Sequence, residues 1–188
     1  MNFKKDILLV DLESTGLDPS KHEIIQIAAI LLDKKTLREK RFFNTYVKPQ
    51  KWKNRDPQAM KINKIEFEQL KLAPLLKFAI TEFNKYFNPR NVIFSHYGGP
   101  LDTDMMRAAY KKCNLKFEFD HHYFNLWGLF YSYMALKEKI FDKKKFAGFG
   151  LDDFLNYFEI SVPDGRHDAL TDCRVEADVL RYIMKELK

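Results

Sequence analysis

The chain has 188 residues, 46% of them apolar, which is enough to bury one complete core. Its net charge of +6 and pI near 9.1 make it mildly basic and suit a polyanionic partner. No apolar run is long enough to span a bilayer, and Met1-Asn2-Phe3-Lys4 opens no apolar secretion core, so membrane proteins are excluded and a soluble cytoplasmic protein is expected. Cys113 and Cys173 fall far apart inside apolar helical patterns, as buried thiols of a reducing compartment do. No repeat or low-complexity tract marks an internal boundary, so a single domain is expected over 1–188.

The first third reads as strands over 6–13, 23–33 and 37–47. The second, EIIQIAAILLD, is apolar nearly throughout, as a strand covered on both faces would be. Short gaps favour antiparallel hairpin connections among the three. Helical spacing then takes over. A short helix is expected at 57–62, and a longer one at 74–87 with Leu75, Phe78, Ala79, Phe83 and Phe87 on one stripe. NVIFSH, 91–96, is a fourth strand, followed by a helix at 101–112. HHYFNLW, 121–127, is a fifth strand candidate leading into a helix at 128–139 and a lysine-rich connector at 137–145. A helix at 151–158, a turn at SVPDGR and a last helix at 168–187 complete the chain. This order predicts an α/β fold, a mixed five-stranded sheet of three antiparallel strands then two parallel ones, flanked by helices.

Three stretches carry candidate chemistry. In a strand, residues two apart share a face, so Asp11 and Glu13 extend the face of Ile7 and Leu9 to the C-terminal end, where open sheets place ligands. Adjacent carboxylates resist ionising together, and a divalent cation removes that conflict by taking both as oxygen ligands. The alternative is that the strand ends at Val10 and the acids are solvated. Asp102 lies three and four residues before Met105 and Met106, on the apolar face of its helix, whereas Asp104 lies off it. Asp102 is either a helix cap after Pro100 or a functional acid. In HDALTD, Asp172 flanks the stripe of the last helix, and His167 precedes that helix, where an imidazole tends towards the neutral form a general base needs. The alternative reading makes His167 and Asp168 ordinary first-turn residues.

Together, DLESTGLD, SHYGGPLDTDMM and HDALTD resemble the three motifs of the DEDD-type exonucleases, in the histidine branch that includes DNA polymerase III proofreading subunits and related ribonucleases. The likeness runs from about residue 6 to 184 and includes EIIQIAAI and LDDFLNYFEI. It implies a ribonuclease-H-like fold and a metal-dependent 3′–5′ exonuclease. Such an enzyme releases nucleoside monophosphates from single-stranded 3′ ends, DNA favoured, with RNA trimming or a catalytically silent binding module as rivals. It further implies that Asp11, Glu13 and Asp172 hold one Mg²⁺ or Mn²⁺, that Asp11 bridges to a second, and that Asp102 supports the second through water. His167 would take a proton from the attacking water. Ser14, Thr15, Gly16 and Leu17, with Ile62 and Asn63, are implied at the terminal nucleotide, Gly16 allowing close backbone approach and Leu17 packing on a base. The chain departs from the family pattern at Asn63-Lys64, where His-Gly is common, and at Tyr97, where Asn is common. A polymerase or another protein is an implied partner.

Overall fold

The computed structural model describes residues 3–98, 101–138, 150–161, 164–165 and 167–187. In chain order the elements are β1 (Asp6–Ser14), β2 (Ile24–Leu32), β3 (Glu39–Tyr46), α1 (Pro57–Asn63), α2 (Phe67–Leu70), α3 (Leu76–Tyr86), β4 (Val92–His96), α4 (Leu101–Lys112), β5 (Phe124–Asn125), α5 (Leu126–Glu138), α6 (Leu151–Tyr157) and α7 (Ala169–Glu186). The five strands form one sheet in the order β3-β2-β1-β4-β5. β1 and β3 both pair antiparallel with β2, whereas β4 runs parallel to β1 and β5 parallel to β4.

Alternation sorts the apolar strand residues into two cores, one on each face. Ile7 and Leu9 of β1, with Ala28, Ile30 and Leu32 of β2, pack under α5, α6 and α7. Leu8 and Val10, with Ile27, Ala29 and Leu31, pack under α3 and α4. Every residue of β2 is therefore buried, and each such aliphatic side chain contributes roughly 1.5–3 kcal/mol of burial. Asp11 and Glu13 continue the Ile7–Leu9 face, so they turn towards the side that α7 covers.

Three local expectations change. The strand expected over 121–127 contracts to Phe124–Asn125 because Asp120 accepts from the backbone N–H of His122 at 2.9 Å and turns the chain there. The α3 stripe is narrower than its spacing suggests: Ala79, Ile80 and Phe83 are buried, but Leu75 and Phe78 stand exposed because α3 covers the edge of the sheet beside β3. α2, whose start is held by the Glu66 N–H donating to Gln69 Oε1 at 2.8 Å, carried too little periodicity to be read. Most of the lysine-rich connector and part of the SVPDGR turn lie outside the described residues.

Candidate active site

The parallel register of β1 with β4 ends at Leu9 and Ser95. Asp11 and Glu13 lie beyond it at the C-terminal end of β1, the end open α/β sheets use for ligands. α7 starts above the same end and brings Asp172 in its first turn. Ligand oxygens of Asp11, Glu13 and Asp172 all lie within 4.8 Å of one another. Asp102, the second residue of α4, is 8% exposed and sits beside this group. Burial pushes its carboxyl up to about 7. Asp11 is held well above the ordinary carboxylate range, first by burial and then by the charges of Asp102, Glu176 and Glu13.

Glu176 was not foreseen. It is 1% exposed, one helical turn past Asp172, and its charge bears on both Asp11 and the Cys173 thiol. Its one sequence signal is its place three residues after Cys173 on the buried stripe of α7.

The start of α7 is pinned to the sheet. Asp168 caps the helix by accepting from the Thr171 N–H at 3.1 Å, a contact of about 1 kcal/mol. Gln26 of β2, opposite Glu13 in register, donates to Asp168 Oδ1 at 2.7 Å and to Asn44 Oδ1 at 3.1 Å. Gln26 is 1% exposed, the one polar break in the buried run of β2. His167 is exposed and adopts φ 66°, a left-handed conformation that costs a non-glycine residue roughly 1–2 kcal/mol. Its backbone N–H donates to Asp172 Oδ1 at 3.3 Å, which ties the histidine turn directly to the acidic group.

The turn after β1 is a rigid frame with an exposed edge. Thr15 is buried, and its hydroxyl accepts from the Glu23 N–H at 2.9 Å. The Ser14 hydroxyl donates to the Gly16 carbonyl at 2.8 Å. A Cβ at Gly16 would stand 2.6 Å from the His22 ring, so close approach at this glycine is made by His22. Asn63 is buried and donates through Nδ2 to the Ser14 carbonyl at 3.1 Å. Leu17 and Ile62 are instead exposed, at 72% and 47%. Tyr97 turns its ring towards Phe130 and Phe154. A second group, Asp120, His121 and His122, gathers on an exposed loop.

Carboxylates crowded together at partial burial are electrostatically costly, and hard oxygen donors in this number fit Mg²⁺ or Mn²⁺. The RNase T exonuclease family model matches residues 8–180. The chain belongs to this exonuclease family. It is 32% identical over 121 residues to the DNA polymerase III subunit epsilon of Rickettsia prowazekii, across 62% of this chain and 50% of that one. The chain thus spans about half the length of the curated relatives it matches. Among solved structures it resembles the nuclease domain of 3′hExo bound to rAMP, described as a DEDDh family member, with TM-score 0.79 and 17% identity over 99% of this chain and 95% of that one. It also resembles E. coli exonuclease I in complex with a dA16 oligonucleotide, with TM-score 0.80 and 17% identity over 97% and 41% of the two chains. These two likenesses establish the ribonuclease-H-like fold that the motif resemblance implied.

Proposed function

We propose that this exonuclease-family chain hydrolyses phosphodiester bonds at the 3′ ends of single-stranded nucleic acid, DNA favoured, releasing nucleoside monophosphates. The observation that carries the reading is the convergence of Asp11, Glu13 and Asp172 within 4.8 Å, with buried Asp102 beside them. Asp11, Glu13 and Asp172 would hold one divalent ion, with Asp11 shared to a second that Asp102 supports. Two such ions supply an activated water and a stabilised leaving oxygen. His167 would accept the proton of the attacking water, and its backbone bond to Asp172 keeps it at the edge of the acidic group. Leu17 and Ile62 would pack on the terminal base, while Ser14, Thr15, Gly16 and Asn63 hold the turn that presents them. We further propose one domain over 1–188. A cytoplasmic setting is supported by two free, buried cysteines, and no described helix is long and apolar enough to cross a membrane. The likeness to a polymerase subunit supports a polymerase as partner.

The test is digestion of 5′-labelled DNA and RNA strands of equal sequence with Mg²⁺ or with EDTA. A ladder shortening from the 3′ end, faster on DNA and abolished by EDTA, is expected. Preferential RNA shortening would move the reading to RNA trimming. Binding with no Mg²⁺-dependent shortening would leave a silent module.

A further inference from the structure

We propose that the exposed segment Lys51–Lys64 is the track along which a single-stranded phosphodiester backbone reaches the acidic site. Lys51, Lys53, Arg55, Lys61 and Lys64 would contact successive phosphates without reading the bases. This inference rests on the exonuclease reading, because it assumes that the strand ends at Asp11 and Glu13.

The segment is fixed to the turn that follows those acids. The Asp56 N–H donates to the Thr15 carbonyl at 2.7 Å. Asn63 donates to the Ser14 carbonyl at 3.1 Å, and the Lys51 N–H to Glu23 Oε2 at 2.6 Å. A cation on this segment is therefore held at a set place relative to the end of β1.

Its charge is one-sided. Five cations face a single carboxylate, Asp56, which is engaged in capping α1 through the Gln58 and Ala59 N–H groups. Among the described residues none of the five enters an ion pair. Other lysines do find carboxylates: Lys40 pairs with Asp6, Lys85 with Glu82 and Lys112 with Glu23. The five cations of the segment thus carry a local excess of positive charge beside the turn that follows the acids. Lysine is a flexible point charge suited to a phosphate chain of changing sequence. Arg55 lies 5.0 Å over the Trp52 ring, and exposed Ile62 and Leu17 lead from the segment to the acids. Cations interleaved with apolar and aromatic side chains are what a sequence-indifferent single-strand path requires.

Two triple variants of equal charge change test the track: K51E/K53E/K61E, and K4E/K35E/K116E on exposed lysines away from this segment. Binding of a labelled strand of about 20 nucleotides and one of about four is measured by anisotropy in EDTA over a salt series. Each lost phosphate contact lowers the single-strand salt slope by about 0.7, so the first variant should lose about 2 in slope, bind the long strand about tenfold more weakly, and narrow the gap between long and short strands. The second variant should stay near the wild type in slope. Equal slope losses in both variants, or no loss in either, would overturn the track and leave the exonuclease reading standing. A wild-type protein that binds with the expected slope but never shortens a strand in Mg²⁺ would sink that reading instead.

Discussion

The two ends of β1 use carboxylates in opposite ways. At its start, Asp6 lies 2.9 Å from the Lys40 ammonium and caps the Lys34 N–H at 2.9 Å. Nearby Asp33 accepts from the Lys35 and Thr36 N–H groups, and those bonds hold its carboxyl below the usual range. At its finish, half-buried Asp11 is crowded by Asp102, Glu176 and Glu13 and is pushed the other way. One strand thus carries, at its start, an acid met by an ammonium and an N–H and, at its finish, an acid crowded by like charge. A carboxylate that stabilises the fold finds its cation or N–H inside it, and crowding by like charge is a mark of carboxylates at functional sites.

The strongest way to break this contrast is at Asp11. Asp11→Ala should lower Mg²⁺-dependent strand shortening by about 10³-fold or more, since on the proposed assignment it removes the ligand that both ions would share. Circular dichroism should show the fold retained. Asp11→Asn should be equally inactive yet raise the melting temperature in EDTA by a few degrees, about 2–4 °C for each kcal/mol of repulsion relieved in a chain of this size. Normal trimming by either variant would show that the centre lies elsewhere.

The next effect is on stability against pH. Burial raises Asp102 from 3.8 to about 7 and moves Asp11 in the same direction. A group that holds its proton more tightly when folded makes the native state the greater proton binder between the two pKa values, so stability falls as pH rises through that window. Asp18, lowered to about 2 by Ser20, has the opposite sign but acts below pH 4. Between about pH 5 and 8 the melting temperature in EDTA should therefore decline. Saturating Mn²⁺ should flatten the decline, with the larger gain at the alkaline end, because a cation displaces the protons that the acids otherwise keep. A flat profile in EDTA would mean the acids are not crowded as described.

Much of the site was legible because its logic is local. Period-two alternation alone put Asp11 and Glu13 on one face, and the sorting of Ile7 and Leu9 from Leu8 and Val10 bears it out. Asp102 was legible from Met105 and Met106, which are buried with it. What escaped depends on distance along the chain. Glu176 reads as one more charge on an 18-residue helix until β1 is placed against it. Gln26 was visible as a polar break in β2, but its partner Asp168 is 142 residues away. The α3 stripe misled because spacing reports which residues share a face, while Leu75 and Phe78 show that the neighbouring layer decides how much of the face is covered.

Gln26 sharpens the comparison from inside the site. Gln26→Leu keeps the volume and removes its bonds to Asn44, to Asp168 and from the Ala169 N–H, so the start of α7 loses its side-chain ties to β2. Loosening the helix that carries Asp172 should lower the rate at saturating strand by about tenfold and raise the Mg²⁺ concentration needed for half activity. A variant that merely loses stability would be restored by assaying at lower temperature; a displaced Asp172 would keep its shifted Mg²⁺ requirement.

Asp6→Asn is the smallest change and the control for all the others. It removes the charge facing Lys40 but keeps an oxygen that can accept from the Lys34 N–H. The melting temperature should drop by about 2 °C or less, and less still in high salt, because a partly exposed ion pair is screened. Mg²⁺ dependence, cleavage rate and the EDTA pH profile should all match the wild type, since none of the charges bearing on Asp11 belongs to this end of the strand. A change in Mg²⁺ requirement on replacing Asp6 would mean that the two ends communicate through β1, and the division of labour along the strand would have to be abandoned.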